Sequence, residues 1–455
     1  MDGLLSSMVT DSMPPVRPNG ILRFLFAGIG VGLAAASLAQ DVQEESYGAK
    51  FQTTYVWQRK YPFGAAYTGT NSLNPDIEKS YSFTATAALG ARTWRGGEVY
   101  FDPEVAQGVP LSRLTGLGGF TNGEIARTSG PTPSFYAARL FVRQTWGLGG
   151  EREAVESDAN QLAGSVERRR LVLTVGKLSV QDVFDDNAYS HDPRSQFLNW
   201  SLMTYGAYDY AADSRGYSWG FALEYFDEAW ALRAGRFTMP KESNGLALNP
   251  HIFASFGDQI ELEHTHVLGG QAGKVRLLAY RNQADMGGYR DAIDDASASG
   301  STPDLATSRK KRVKYGFGIN LEQSISSAAG VFARASWNNG EAEEFAFTEI
   351  DRSLSAGLLV KGAPWNRASD SFGIALVKNG ISGPHREYLS AGGLGFFIGD
   401  GQLRYDTENI FETFYSVGIV KEVWLSADFQ RIFNPAYNAD RGPVSVVSAR
   451  FHYGF

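Results

Sequence analysis

The stretch VSARFHYGF, residues 447–455, decides the fold. Val447, Ala449, Phe451, Tyr453 and Phe455 are apolar on one parity, while Ser448, Arg450, His452 and Gly454 fill the other. Such alternation marks a strand with two unlike faces. The last residues of a soluble domain usually fray into solvent, so an aromatic strand closing on Phe suits another setting. A strand whose aromatic face looks outward and whose Arg and His look inward fits a closed barrel in lipid around a wet lumen.

The other end of the sequence agrees. Arg17 and Arg23 precede the apolar run FLFAGIGVGLAAASLA at 24–39, and Ser37 and Ala39 supply the small residues of a cleavage site before Gln40. The run falls short of the roughly 20 residues of a spanning helix. Residues 1–39 therefore read as a secretory signal and 40–455 as the barrel. Asp2 and Asp11 are out of place in a region that should be basic, and Met13 offers a better start. Beyond residue 39 no stretch is apolar for long enough to make a helical span, which excludes a helical membrane protein. The absence of cysteine fits export to an oxidising compartment and removes thiol catalysis and Cys-based zinc sites together. The 51 Gly, 29 Phe, 21 Tyr and 9 Trp suit strands, tight turns and interfacial girdles. A net charge of −7 argues against nucleic acid as a partner.

Alternation recurs along the chain. Phe51, Thr53, Tyr55 and Trp57 oppose Lys50, Gln52, Thr54 and Gln58; Tyr81, Phe83, Ala85, Ala87 and Leu89 oppose Ser80, Ser82, Thr84, Thr86 and Gly90. Tyr136, Ala138, Leu140 and Val142 oppose Arg139 and Arg143, and Val313, Tyr315, Phe317, Ile319 and Leu321 oppose Lys314, Gly316, Gly318, Asn320 and Glu322. Links alternate in length as well. Short ones fall at 94–97, 227–229, 269–273, 324–330 and 419–422, and long ones at 59–79, 107–133, 181–214, 240–257, 286–311 and 380–402. With both ends in the periplasm, short links become periplasmic turns and long ones external loops. This register gives an all-β, antiparallel transmembrane barrel of about sixteen strands. The stretch 345–378 resists division, and the link 147–169 is long on the side that should be short, which marks a periplasmic excursion.

Among residues that could carry chemistry, His264 and His266 share one strand face near Glu261 and Glu263, a spacing that can bind metal. No third ligand is in sight, so an interfacial girdle pair is the better reading. Arg309, Lys310, Lys311 and Arg312 read as a solvated loop end, with contact to anionic lipid headgroups as the alternative. Gly116, Gly118 and Gly119 lack the strand-to-helix setting of a phosphate cradle. Glu343 with Glu344, and the pair Asp185 and Asp186, could suit acid/base work, but paired carboxylates in loops usually face water or bind a cation, and no Ser, His and acid stand out as a triad. The segment 176–200, GKLSVQDVFDDNAYSHDPRSQFLNW, is the best functional candidate: it is too long and polar for a hairpin turn, and Phe184, Tyr189, Phe197 and Trp200 argue against disorder. Folded into the lumen, it would set Asp182, Asp185, Asp186, Asp192 and Arg194 facing Arg139, Arg143 and Arg170 across the pore. Aromatic faces such as Trp200 suit the apolar face of a pyranose, and Asp, Asn and Arg suit its hydroxyls. A packing loop that touches no ligand is the other reading of the segment.

From about residue 51 to 455 the chain resembles the carbohydrate-selective porins of the OprB type from Gram-negative outer membranes. The resemblance is carried by GEVYFDPE at 97–104, by the segment from Gly176 through His191, Asp192, Pro193 and Arg194 to Trp200, by GGLGFFIGDGQ at 392–402 and by NPAYNADRGPV at 434–444. It implies a sixteen-stranded barrel, homotrimeric or monomeric, that passes monosaccharides passively. The expectation is thus a sugar porin of the outer membrane with no catalysed reaction, no cofactor and no metal. A general or ion-selective diffusion pore is the alternative within transport, and a lipase-like barrel enzyme the alternative outside it. Outer-membrane lipid surrounds the wall, and the strand ending at Phe455 offers a signal to the barrel-insertion machinery.

Overall fold

The computed structural model describes residues 44–455 apart from position 129. The proposed signal at 1–39 lies outside the described residues. Eighteen strands follow in chain order: β1 (Tyr47–Lys60), β2 (Glu78–Trp94), β3 (Gly97–Val109), β4 (Ser134–Gly147), β5 (Arg152–Val155), β6 (Gly164–Glu167), β7 (Arg170–Leu178), β8 (Ser218–Asp227), β9 (Trp230–Thr238), β10 (Phe256–Leu268), β11 (Gln271–Met286), β12 (Lys310–Ser324), β13 (Ala329–Asn338), β14 (Arg352–Lys361), β15 (Ser371–Gly380), β16 (Glu408–Val420), β17 (Val423–Phe433) and β18 (Val444–Gly454). Sixteen of them form one closed antiparallel barrel, and β5 with β6 makes a separate hairpin. Neighbours in the wall are neighbours in sequence except where β4 pairs β7 past the β5–β6 hairpin and at the seam, where β1 pairs β18 from Gln52 with Gly454 to Lys60 with Val446. Closure leaves no edge of unpaired amides, the condition for a sheet to live in hydrocarbon.

Period-two patterning sets the two faces. On β12, Val313, Tyr315, Phe317, Ile319 and Leu321 are exposed on the outer wall while Lys314, Gly316, Gly318, Asn320 and Glu322 are buried inside. β18 behaves alike, with Phe451 outward and Ser448 and Arg450 inward. Trp94, Trp146 and Trp230 ring the short-link rim, and Phe135 and Trp219 stand at the long-loop rim, where amphipathic rings prefer the membrane interface. β4 departs from the expected register. A bulge opposite Asp102 and Pro103 inserts Ala138 and turns Tyr136 inward, against Glu104, instead of outward.

The short links are tight where sequence permits. Gly269 and Gly270 both take positive φ between β10 and β11, the twist that a two-residue hairpin turn needs. The stretch that resisted division resolves into β14, a link at 362–370 and β15. Two longer helices, α1 (Tyr289–Ser299) and α2 (Gly383–Ser390), sit in long loops, and no helix of the described residues is long and apolar enough to cross a membrane. The exceptional link after β4 carries the β5–β6 hairpin at the short-link rim.

Candidate functional site in the lumen

The loop at 179–217 turns into the barrel and bonds to inward side chains of strand after strand. It starts at Ser179, whose amide donates to Asp182 Oδ2 at 2.9 Å in a capping box that fixes the Asp182 side chain. Asp185, in left-handed backbone at φ 61°, is fully buried. Its carboxylate accepts from Arg334 Nε at 3.0 Å on β13, from Asn320 on β12, and from the loop's own Thr204 Oγ1 at 2.8 Å and Tyr205 amide at 2.7 Å. Farther along, Glu412 on β16 accepts the Leu198 and Asn199 amides, and Arg450 on β18 donates to the Pro193 and Gln196 carbonyls. Glycines in the wall make room for the loop's rings: a Cβ on Gly330 would lie 1.9 Å from the ring of Tyr189, and one on Gly318 2.5 Å from that of Tyr205. Buried carboxylates and amides serve here as anchors, which is why so polar a segment has one position.

The charged residues singled out from sequence divide into three groups. Arg139 and Asp182 meet: Arg139 Nε and Nη2 donate to the two Asp182 oxygens at 2.7 and 2.6 Å, and Arg139 Nη1 donates to Asp102 at 3.3 Å. Enclosure opposes ionisation of Asp182, but the Arg139 guanidinium outweighs it and holds the carboxyl below its usual range. Asp186, with its side chain 61% exposed, faces Arg276 at 3.3 Å, which likewise outweighs its enclosure and depresses its protonation. The second group does not face the cationic wall as expected. Asp185 is an anchor on Arg334, and Arg194 pairs with Glu104 at 3.1 Å and Glu124 at 2.9 Å. Asp192 caps its own turn, accepting from the Arg194 amide and Ser195 Oγ.

The third group lies at another height. Arg170 has the inward parity but sits at the short-link rim, bonded to Glu153 at 2.8 Å and stacked on Phe226. Arg143 meets the excursion after β4, donating to the Asn160 carbonyl at 2.9 Å. Trp200 is only 4% exposed, packed against Phe347 at 4.6 Å and stacked parallel to Tyr210, so its faces are filled by protein. It holds the loop together and is no open platform for a sugar ring.

Sequence reading missed the rest of this wall. Arg127, from the loop after β3, donates to Tyr217 Oη at 2.9 Å, and Tyr217 Oη donates to Glu104 at 3.3 Å. Arg139 stands over the Tyr217 ring at 5.4 Å and Arg215 over the Tyr136 ring at 4.0 Å. Arg127, Tyr136, Arg139 and Arg215 stay partly exposed there beside Asp182. The result is a face of guanidiniums on phenol rings, each near a carboxylate, able to donate and accept hydrogen bonds side by side. Inward parity in GEVYFDPE points to Asp102 and Glu104, but loop residues such as Arg127 and Arg215 carry no periodic signal.

The remaining candidates have structural roles. His264 and His266 share the outer face near the short-link rim, with the Trp230 ring tilted against His264 at 4.2 Å, while Glu261 and Glu263 point inward to Arg233. Arg309 pairs with Glu343 at 2.9 Å, and Lys310 and Arg312 both pair with Asp291.

Residues 78–455 match the model of the family described as carbohydrate-selective porin, OprB family. A structure of Pseudomonas putida OprB at high pH superposes with a TM-score of 0.65 at 15% identity, over 90% of this chain and 94% of that one. The channel DcaP of Acinetobacter baumannii gives 0.49 at 8% identity over 90% and 98%, and Pseudomonas aeruginosa OccK8 (OprE) 0.43 at 9% over 90% and 98%. Comparison by sequence with curated proteins yields no match.

Proposed function

The chain belongs to the OprB family of carbohydrate-selective porins, and from that premise we propose that its sugars pass along the wall formed by Arg127, Tyr136, Arg139, Asp182 and Arg215, backed by the buried Tyr217. The protein is a channel of the Gram-negative outer membrane for carbohydrates and similar small polar solutes. The observation that carries the proposed path is the two-point Arg139–Asp182 pair, set where the inward loop leaves charged and phenolic groups partly open.

A sugar gives up water hydroxyl by hydroxyl as it enters a narrow pore. Guanidiniums and carboxylates alternating along one wall replace those bonds with both donors and acceptors, so a neutral polyol slides between them without a deep well. Ion pairing keeps the net field modest, which suits uncharged solutes. The work is binding and release down a gradient, with no bond made or broken, and no reaction is assigned to the chain.

Planar-bilayer currents titrated with glucose and other monosaccharides test the path. Sugar should block the parent current in a saturable way, and Asp182→Asn should weaken the block while the barrel stays heat-modifiable. Absence of sugar block in the parent would favour a general diffusion pore, and an unchanged block in the variant would place the path elsewhere.

A further inference from the structure

The insert after β4 does more than bridge two strands. Its hairpin lies at the periplasmic mouth, and the tip at 158–163 enters the lumen. Leu162, 4% exposed, packs with Tyr100 on β3 and beneath Gly48 and Gly90. A side chain on Gly48 would come within 2.9 Å of Leu162, so that glycine leaves space the tip fills, while Gly90 leaves room for the Tyr100 ring on which Leu162 packs. Arg92 Nη2 donates to the Ala163 carbonyl at 2.9 Å, and the Ala163 amide donates to Glu45 Oε2 at 2.8 Å. The tip is a tight turn over 158–161 with Asn160 in left-handed backbone at φ 59°, a conformation Asn tolerates.

Asn160 reaches the wall that holds Arg139 and Asp182. Its Nδ2 donates at 2.8 Å to Asp102 Oδ2, the same oxygen that accepts from Arg139 Nη1, whose other nitrogens hold Asp182. Arg143 grips the Asn160 carbonyl from the wall. One unbroken chain, Asn160–Asp102–Arg139–Asp182, thus ties the periplasmic tip to the external loop. Asp102 is fully buried, so the contact is sealed from the lumen and fixes where the tip sits. With tilted strands gaining ~2.5 Å of height per residue, Asp102 stands about 12 Å above the periplasmic rim.

We propose that residues 158–160 form the inner wall of the constriction, entered from the periplasmic side, and that Asn160 helps to set which hydroxylated solutes pass. The inference rests on the chain being a conducting sugar channel. Asp158 and Ala159, at the turn, remain exposed, as a pore wall requires.

The lack of native cysteine makes the test clean, because one introduced thiol is unique. Ala159→Cys and, as the control on the hairpin arm, Glu151→Cys would be reconstituted in planar bilayers and treated with methanethiosulfonate reagents of opposite charge. Labelling Ala159→Cys should cut conductance by roughly a third or more with either reagent and shift cation-to-anion permeability in opposite directions, while Glu151→Cys conducts as before. Asn160→Gly, which keeps the backbone conformation, should raise conductance and weaken sugar block. Full labelling of Ala159→Cys with unchanged current would overturn the proposal, as would unchanged conductance and sugar block in Asn160→Gly. A parent that passes no current would instead overturn the channel reading on which it depends.

Discussion

Changing Asp185 to Asn should release the inward loop without unfolding the barrel. Asn is nearly isosteric and tolerates the left-handed backbone at φ 61°, so Asp185→Asn keeps the shape while it removes the charge and turns one acceptor oxygen, which takes two of the four donors, into an NH2. Arg334, 2% exposed, then keeps its carbonyl contacts to Leu202 and residue 185 but loses its counter-ion. Breaking a buried pair by deleting one partner costs about 3–5 kcal/mol. The Asn oxygen can still accept one bond, which leaves about 2–4 kcal/mol. At 1.4 kcal/mol per factor of ten, the released loop becomes roughly 30 to 1,000 times more populated. The Tyr205 amide, which donates to Asp185 at 2.7 Å, reports this directly through hydrogen exchange. Its protection should fall by that factor, while strand amides at the β1–β18 seam keep theirs, and single-channel records should show brief openings to a larger conductance. Unchanged Tyr205 protection in a folded, heat-modifiable Asp185→Asn barrel would refute the assignment of Asp185 as the anchor.

Other expectations follow from the same geometry. Arg139→Ala with Arg143→Ala should leave the barrel folded and move the reversal potential in a salt gradient toward cation selectivity, since Asp102 and Asp182 remain and Glu98, 3.9 Å from the Arg143 guanidinium, loses that cation. Trp200→Ala should cost about 3–5 kcal/mol of loop packing, seen as a lower melting temperature, and not a graded loss of sugar affinity. Phe455→Asp should place a charge on the outer face of the seam strand and sharply lower the yield of inserted barrel, scored as heat-modifiable protein in outer-membrane fractions. In pH titration, Asp182 and Asp186 have depressed folded-state values, so their ion pairs contribute fully above the unfolded carboxylate range and are lost only as pH falls through the lower folded values. Sugar block should therefore be level from pH 8 to about pH 5 and decline only below about pH 4. A transition near pH 6 would contradict that pairing.

Side-chain parity made the wall of this barrel readable. It placed the outward rings of β12 and β18 and the inward polar sets of β1 and β2, because a one-residue slip would turn every side chain to the wrong medium. Parity says which face a residue takes but neither its height nor its partner. Arg139, Arg143 and Arg170 all point inward, yet Arg139 meets the inward loop while Arg143 and Arg170 meet the tip and the hairpin of the insert after β4. A single bulge was enough to reverse Tyr136. Within the loop, Asp185 and Asp186 are neighbours with opposite fates, one sealed against Arg334 and one open to the lumen, because a left-handed residue turns the chain between them. Trp200 looked like a platform since an isolated sequence cannot show that Phe347, far along the chain, fills its face.

The seam between β1 and β18 has a bearing on how the molecule comes to exist. Its pairs join the beginning and end of the described chain, Thr53 with Tyr453 and Trp57 with Ala449. During synthesis and export the first strand is made long before its partner, so its amides have one neighbour and a bare edge on the other side. An edge of that kind templates pairing with other chains. Contacts of the largest possible sequence separation also form slowly. The time between making β1 and closing it is thus the interval in which this polypeptide is most open to misassembly, and an escort that shields that edge would matter most at that stage.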